Sequence, residues 1–328
     1  MSSDSINLII TEFKKLKRYE KKIILNKLYN IITEINIDDE RDLNISCPFC
    51  NSNEKWKNGK LKERQRYLCK KCHKSYNSFT NTPISYTKKD MVLWKAYLED
   101  LLNQVSLRKS AQKLGISLST AFFWRHRILD SIRENLPISS LEGVIEMDET
   151  YFNESFKGNH NKSTFVMPRA PHKRGKSLVY RRVNKEKVCI VTALDSNSSI
   201  SINMCCLGPS RSSDLIRVFE NKVNKNSLLV TDSHKSYKKL ASYFILNHKE
   251  IPTGKRFIDE YNLKRSKILH RKIKGFMYIY KGVSTKYLQN YLSLFKFIME
   301  DKKESPLFNK GKSPYRNRNF KGRLPLYN

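Results

Sequence analysis

The sequence is poor in acidic residues and lacks any long apolar run. Its 328 residues contain 31 Asp and Glu against 63 Lys and Arg, for a formal net charge of +32. No apolar run of about 18 residues is present to cross a bilayer, and Asp4 and Glu12 interrupt the N-terminal apolar residues, unlike a signal peptide. An excess of basic residues this large is typical of proteins that bind a polyanion, most often nucleic acid. We therefore expect DNA as the partner, no membrane, and a cytoplasmic location.

The chain also contains too many apolar residues to be disordered throughout. Hydrophobic residues make up 39% and aromatic residues 11% of it, and its length allows two or three domains. The order of helical and strand-like segments predicts a multidomain α+β protein. The predicted divisions are 1–44 (helices and linker), 45–85 (zinc ribbon), 86–138 (helix-turn-helix), 139–300 (ribonuclease-H-like) and 301–328 (basic flexible tail).

Cysteine is sparse, but four of the seven cysteines form two Cys-x-x-Cys pairs, Cys47/Cys50 and Cys69/Cys72. Two such knuckles separated by 18 residues fit a tetrahedral four-thiolate zinc site in a reducing compartment, with a β-hairpin between them. His73 is adjacent, but four thiolates already complete the coordination. The spacing therefore predicts a closed, structural Zn²⁺ site.

Two short helical segments follow the predicted ribbon. A serine-capped helix from Ser106 ends at Gly115, and a second begins at Ser117 or Ser119. Helix, glycine turn and helix at this spacing indicate a helix-turn-helix that places its second helix in the major groove. A plain pair of packed helices is the alternative. The residues expected to face DNA are Thr120, Phe123 and Arg127.

Two strand-like runs each end in an aspartate, Asp148 and Asp232. The elements from Asp148 onward follow the order of a ribonuclease-H-like α/β sheet, in which adjacent strands hold two carboxylates side by side. Such carboxylates can hold two divalent ions, Mg²⁺ or Mn²⁺, for phosphoryl transfer on DNA. Solvated acids on an edge strand are the alternative.

The sequence resembles bacterial insertion-sequence transposases of the DDE type, in the ISXO-like group that carries an N-terminal zinc ribbon. The resemblance covers residues 45–298. The runs that carry it are Cys47–Cys72, Met147–Phe152, Glu154–His160, Thr231–Tyr237 and Lys281–Leu292. It implies a transposase that binds terminal inverted repeats, cleaves and joins DNA strands with catalytic Asp148 and Asp232, and acts as a homo-oligomer.

The third catalytic position departs from that family. His270 and Lys274 align the segment so that the family's Glu or Asn falls on Lys267, and no acid occurs from Ser266 to Phe297. An ammonium cannot ligate a metal cation and repels it. Glu260 is the upstream acid that could substitute. A decayed or repurposed DNA-binding protein is therefore the alternative function.

Overall fold

The computed structural model describes residues 45–61, 64–136, 140–159, 166–169, 183 and 185–300. The predictions for residues 1–44, for most of the loop at 153–186 and for the tail at 301–328 lie outside the described residues. The chain divides into two compact units, one ending at Thr80 and one beginning at Asn81. No helix in the described part is long and apolar enough to span a membrane.

The first unit is built on a small antiparallel sheet. Its strands are β1 (Lys55–Leu61), β2 (Arg64–Cys69) and β3 (Ser75–Tyr76), with β2 in the centre. The β1–β2 pairing confirms the predicted hairpin. Tyr67, Cys69 and Tyr76 are buried on one face with Cys47, so aromatic rings and sulfur atoms form this unit's core.

Three helices begin the second unit: α1 (Met91–Leu102), α2 (Leu107–Lys113) and α3 (Leu118–Asn135). The Ser106 and Ser117 side chains accept hydrogen bonds from backbone N–H groups of the first turns of α2 and α3. Gly115, at φ +61°, takes the left-handed conformation that turns the chain between them. The predicted helix, glycine turn and helix are confirmed as local structure.

Aromatic rings fix α1 against α3. The Trp94 and Trp124 rings stack with centroids 3.9 Å apart, and Tyr97 meets Trp124 edge-on. The Tyr97 hydroxyl donates to the Ala121 carbonyl. Trp124 therefore belongs to the core, where it is 5% exposed.

A five-stranded sheet forms the centre of the second unit. Its strands are β4 (Val144–Asn153), β5 (Lys187–Leu194), β6 (Ile200–Leu207), β7 (Leu228–Asp232) and β8 (Asn247–Ile251), in the order β6-β5-β4-β7-β8. β4, β5 and β6 are antiparallel, whereas β7 and β8 run parallel to β4. The sequence analysis missed β8 because this edge strand is largely polar and lacks an alternating pattern.

The two faces of the sheet carry different helices. Ile145 and Met147 pack beneath α4 (Ser212–Phe219) and α5 (Lys235–Phe244). Glu146, on the other face, contacts α6 (Lys264–Ile279), which follows a small hairpin of β9 (Phe257–Ile258) and β10 (Tyr261–Asn262). α7 (Thr285–Glu300) packs along β6 and α3. This alternation along β4 follows the period of two of a strand.

The prediction that Asp148 ends its strand is wrong. β5 pairs with β4 as far as Asn153, so Asp148 lies in the middle of β4. Asp232 does end β7, as predicted. The strand was predicted to end at Asp148 because the polar residues Glu149 and Thr150 follow it, although the pairing with β5 continues through them.

Candidate active site and metal centres

The four cysteines of the two Cys-x-x-Cys pairs converge in the first unit. The Cys47 and Cys72 sulfurs lie 3.5 Å apart, as do those of Cys50 and Cys69, and none forms a disulfide. Four sulfurs at Zn–S bonds of ~2.3 Å would lie about 3.8 Å apart in a tetrahedron. The observed spacing therefore fits a four-thiolate zinc site.

Each cysteine pair sits in a tight turn closed by its own backbone. The Cys47 carbonyl accepts from the Asn51 N–H, and the Cys69 carbonyl accepts from the His73 N–H. Asn51 and His73 both adopt left-handed backbone conformations, at φ 58° and 53°. The geometry of these turns gives His73 a backbone role, and its side chain is outside the four-sulfur cluster.

Three carboxylates converge in the second unit: Asp148, Glu149 and Asp232. One oxygen from each lies within 4.8 Å of the others. The β4–β7 register pairs Glu146 with Val230 and, continued by two residues, sets Asp148 opposite Asp232. Glu149 points from the other face of β4, where its carboxylate accepts from the Ser210 hydroxyl at 2.7 Å. It reaches the same site because β7 stops pairing with β4 after Glu146 and leaves that edge open.

This crowding of carboxylates changes their titration. Burial raises the pKa of Asp148 to about 7, the charges of Glu149 and Asp232 add to the rise, and the Lys267 ammonium opposes it. Burial also raises the pKa of Glu149, and the Ser210 hydroxyl opposes that rise. The carboxylates therefore repel one another, and a bound cation would relieve the repulsion.

His270 lies between Thr192 and Asp148. Its Nε2 is 2.7 Å from the Thr192 hydroxyl, which also lies 3.1 Å from the Asp148 carbonyl. His270 Nδ1 is 3.7 Å from Asp148 Oδ2. Burial and Lys274 lower the pKa of His270 to about 4, so the ring is neutral near pH 7. The neutral ring therefore leaves the negative charge of Asp148 uncompensated.

Glu146 holds α6 beside these carboxylates. Its Oε2 accepts from the Ser266 N–H at 3.2 Å, and its Oε1 lies 3.7 Å from the Arg265 guanidinium. Lys267, which follows Ser266, is exposed in the first turn of α6, and its charge acts on Asp148. Glu260 lies in the turn between β9 and β10 and is not part of the carboxylate cluster. The structure thus brings together Asp148, Asp232 and the alignment position Lys267, and leaves Glu260 outside.

Comparison with known families identifies this domain. Residues 140–300 match the model of the ISXO2-like transposase domain, and residues 42–73 match the InsA N-terminal domain, a zinc ribbon. Residues 140–300 therefore form an ISXO2-like transposase domain. A curated relative is an uncharacterized protein in transposable element ISH50 of Halobacterium salinarum, 29% identical over 116 residues. That alignment covers 35% of this chain and only 38% of the relative.

Similarity to solved structures is more distant. A simian T-cell lymphotropic virus intasome in complex with PP2A regulatory subunit B56 gamma is 12% identical, with a TM-score of 0.30 over 67% of this chain and 76% of the other. The Mos1 strand transfer complex is also 12% identical, with a TM-score of 0.27 over 68% and 73%. Scores below 0.5 do not by themselves establish a common fold.

Two of the sequence runs that carry the resemblance meet in the ISXO2-like domain. The Ser155 N–H donates to the Thr285 hydroxyl, and its carbonyl accepts from the Thr285 N–H, both at 2.8 Å. Lys286 Nζ donates to the Asn159 side chain at 2.9 Å. The segment that follows β4 is thereby attached to the N-terminus of α7.

The three residues predicted to face DNA have different surroundings in α3. Phe123 is 55% exposed, and the Thr120 hydroxyl lies 2.8 Å from that of Ser117. Arg127 instead donates to the carbonyls of Pro83, at 3.5 Å, and Ser85, at 3.0 Å. This geometry favours a structural role for Arg127 over the predicted base contact.

The sequence analysis did not identify Glu149 and Thr192 as site residues. Strand alternation placed Glu149 on the face opposite Asp148, and Thr192 lies in an apolar run without any motif. The adjacent acid in Asp148-Glu149 was the one available signal for Glu149.

Proposed function

We propose that this chain is an insertion-sequence DNA transposase that binds the terminal inverted repeats of its element and carries out metal-dependent strand cleavage and strand transfer. The observation that carries the proposal is the convergence of Asp148, Glu149 and Asp232 within the ISXO2-like domain. A sheet of three antiparallel and two parallel strands, with the first strand in the centre, is the arrangement expected of a ribonuclease-H-like domain.

Asp148, Glu149 and Asp232 would hold the divalent cation. All-oxygen ligands suit Mg²⁺ or Mn²⁺, and the mutual repulsion of the carboxylates fits a cation site. The ion would supply charge neutralisation at the scissile phosphate and activation of water or a 3′-hydroxyl. His270 would orient Asp148, because the Thr192 hydroxyl fixes its ring.

The DNA-binding part is proposed to comprise the zinc ribbon (45–85) and a helix-turn-helix (86–138) in which α3 is the recognition helix. Support comes from the exposed N-terminal half of α3, which presents Thr120 and Phe123. Cys47, Cys50, Cys69 and Cys72 would hold Zn²⁺ and stabilise the ribbon. Action on paired element ends would require a homo-oligomer.

The test is nicking of a duplex that carries the DNA flanking the gene, with Mg²⁺ or Mn²⁺. We expect Asp148→Ala to abolish nicking and Glu220→Gln, an exposed acid outside the cluster, to retain it. Loss of nicking in both variants, or in neither, would contradict the assignment of the site. In a parallel binding assay, Phe123→Ala should weaken repeat binding more than binding to random DNA.

One observation favours a second candidate, a DNA-binding protein without cleavage activity. Lys267 replaces the family's acid beside Asp148 and partly compensates its charge. Specific binding to the repeats with no nicking in either metal ion would favour this second function.

A further inference from the structure

A basic cleft lies apart from the carboxylate cluster in the second unit. It has a volume of about 620 Å³ and lies between the start of α2, the middle of α3 and the loop before α7. Among the described residues that line it, five are cationic and none is acidic, and none belongs to the carboxylate cluster. Those cations are Arg108, Arg125, Lys157, Lys281 and Lys286.

Arg125 lines this cleft although it is only 2% exposed. One of its terminal nitrogens donates to the Val105 carbonyl at 2.8 Å, and the Tyr97 and Tyr291 hydroxyls also contact the guanidinium. Its Nε has no hydrogen-bond partner among the described residues. No carboxylate in the described part of the chain pairs with it. Burying a guanidinium without a counter-charge is unfavourable, and Arg is the side chain best suited to a forked contact with phosphate. An anion in the cleft would supply the missing counter-charge.

Aromatic rings form much of the remaining wall. Phe122, Tyr280 and Tyr287 line the cleft, and the Tyr280 ring lies 5.6 Å from the Arg125 guanidinium. The Tyr280 hydroxyl is buried and has no hydrogen-bond partner within the described part of the chain. Aromatic faces stack on nucleobases of any sequence, and unpaired polar groups beside them can bond to a base edge or a sugar.

We propose that this cleft binds a single unpaired nucleotide of DNA, with its phosphate on Arg125 and its base against Phe122 or Tyr287. A paired duplex is too wide to bring a phosphate to a guanidinium this deeply buried, whereas an extrahelical nucleotide is slender and fits the volume. The site rests on the proposed function only in taking DNA as the source of the nucleotide. It would hold a nucleotide displaced near an element end while the carboxylates act elsewhere.

The test compares two short labelled duplexes, one fully paired and one with a single unpaired thymidine, by fluorescence polarisation without divalent metal. Wild type should bind the duplex with the unpaired nucleotide about tenfold more tightly. This factor corresponds to ~1.4 kcal/mol, the size of one charged hydrogen bond that only the unpaired nucleotide can make. Arg125→Met should remove this preference and keep the affinity for paired DNA, and Arg125→Lys should fall between them. Because Arg125 is buried, circular dichroism and a melting curve must show that each variant is folded.

A second variant changes only surface residues of the cleft, so its result does not depend on replacing a buried side chain. Arg108 and Lys281 are exposed, so Arg108→Met with Lys281→Met should also reduce the preference, whereas Lys225→Met, an exposed lysine outside the cleft, should leave it unchanged. Equal wild-type affinity for both duplexes, or a preference that survives in every cleft variant, would overturn the proposal. Inorganic phosphate that competes as well as an unpaired oligonucleotide would make the cleft a free-anion site and overturn the DNA source. If wild type binds neither duplex, the result would instead contradict the proposed DNA-binding function.

Discussion

Glu149→Gln should weaken binding of Mn²⁺ to the second unit and stabilise the metal-free protein. The substitution removes one charge from the three-carboxylate cluster and keeps an oxygen that can accept from the Ser210 hydroxyl. Without a cation, Glu149 repels Asp148, so removing its charge should raise the melting temperature. With a cation, the same charge is a ligand, so removing it should lower affinity.

The size of the affinity loss follows from Coulomb's law. A single charge ~4 Å from a divalent ion, at an effective dielectric constant near 20, is worth roughly 8 kcal/mol before solvent screening. Screening, the retained amide oxygen and the relief of carboxylate repulsion reduce that upper bound severalfold. We expect a 10- to 100-fold loss, or about 1.4–2.8 kcal/mol.

Isothermal titration calorimetry with Mn²⁺ would measure this loss. Titration at about pH 8 lies above the raised pKa of Asp148, so that ligand is ionised. Glu220→Gln is the matched control, because Glu220 is exposed and outside the cluster. Unchanged affinity in Glu149→Gln would refute the reasoning and leave Glu149 as a structural partner of Ser210.

Three further predictions concern the other sites. Lys267→Glu should raise Mn²⁺ affinity and nicking, whereas Lys272→Glu, exposed on the same helix, should change neither. If Lys267→Glu raises neither Mn²⁺ affinity nor nicking, position 267 does not limit activity. Metal analysis of wild type should give about one zinc per chain, and Cys50→Ser should lose it. Burial and the neighbouring Arg125 and Lys286 charges lower the pKa of His126 from 6.5 to about 3, so the unfolded state takes up this proton first as pH falls. Urea unfolding at pH 5 should therefore show about 2 kcal/mol less stability than at pH 7 from this residue, and His126→Gln should lose that dependence.

Residues close together in the sequence predicted the ends of the helices. They did not predict features that depend on pairing with a strand distant in the sequence. Ser106, Ser117 and Gly115 predicted the ends of α2 and α3 because caps and turns depend on residues close in sequence. The length of β4 depends instead on its pairing with β5, so the sequence placed the end of the strand at Asp148, five residues before Asn153. The polar edge strand β8 is likewise formed by pairing with β7.

The candidate site shows the same division. Asp148 and Asp232 could be found from sequence, because each follows an apolar run that indicates a buried strand. Glu149 could not, because alternation sends it to the opposite face. Its approach to Asp148 depends on where β7 stops, which is a property of the sheet rather than of the local sequence. Alignment located Lys267, but only the Glu146–Ser266 contact shows how α6 sets that residue beside the carboxylates.

Two adjacent amides in α7 connect the proposed recognition helix to the sheet. Gln289 accepts from the Met204 N–H at 2.7 Å and donates to the Ile202 carbonyl at 3.2 Å, which fixes α7 along the edge strand β6. Asn290 donates to Asp130 at 2.6 Å and accepts from Arg133 at 3.3 Å, both on α3. Because neighbouring helical residues point in different directions, one short segment can hold both partners. DNA bound to α3 would therefore have a defined orientation to the carboxylates through packed side chains, without requiring a separate linker.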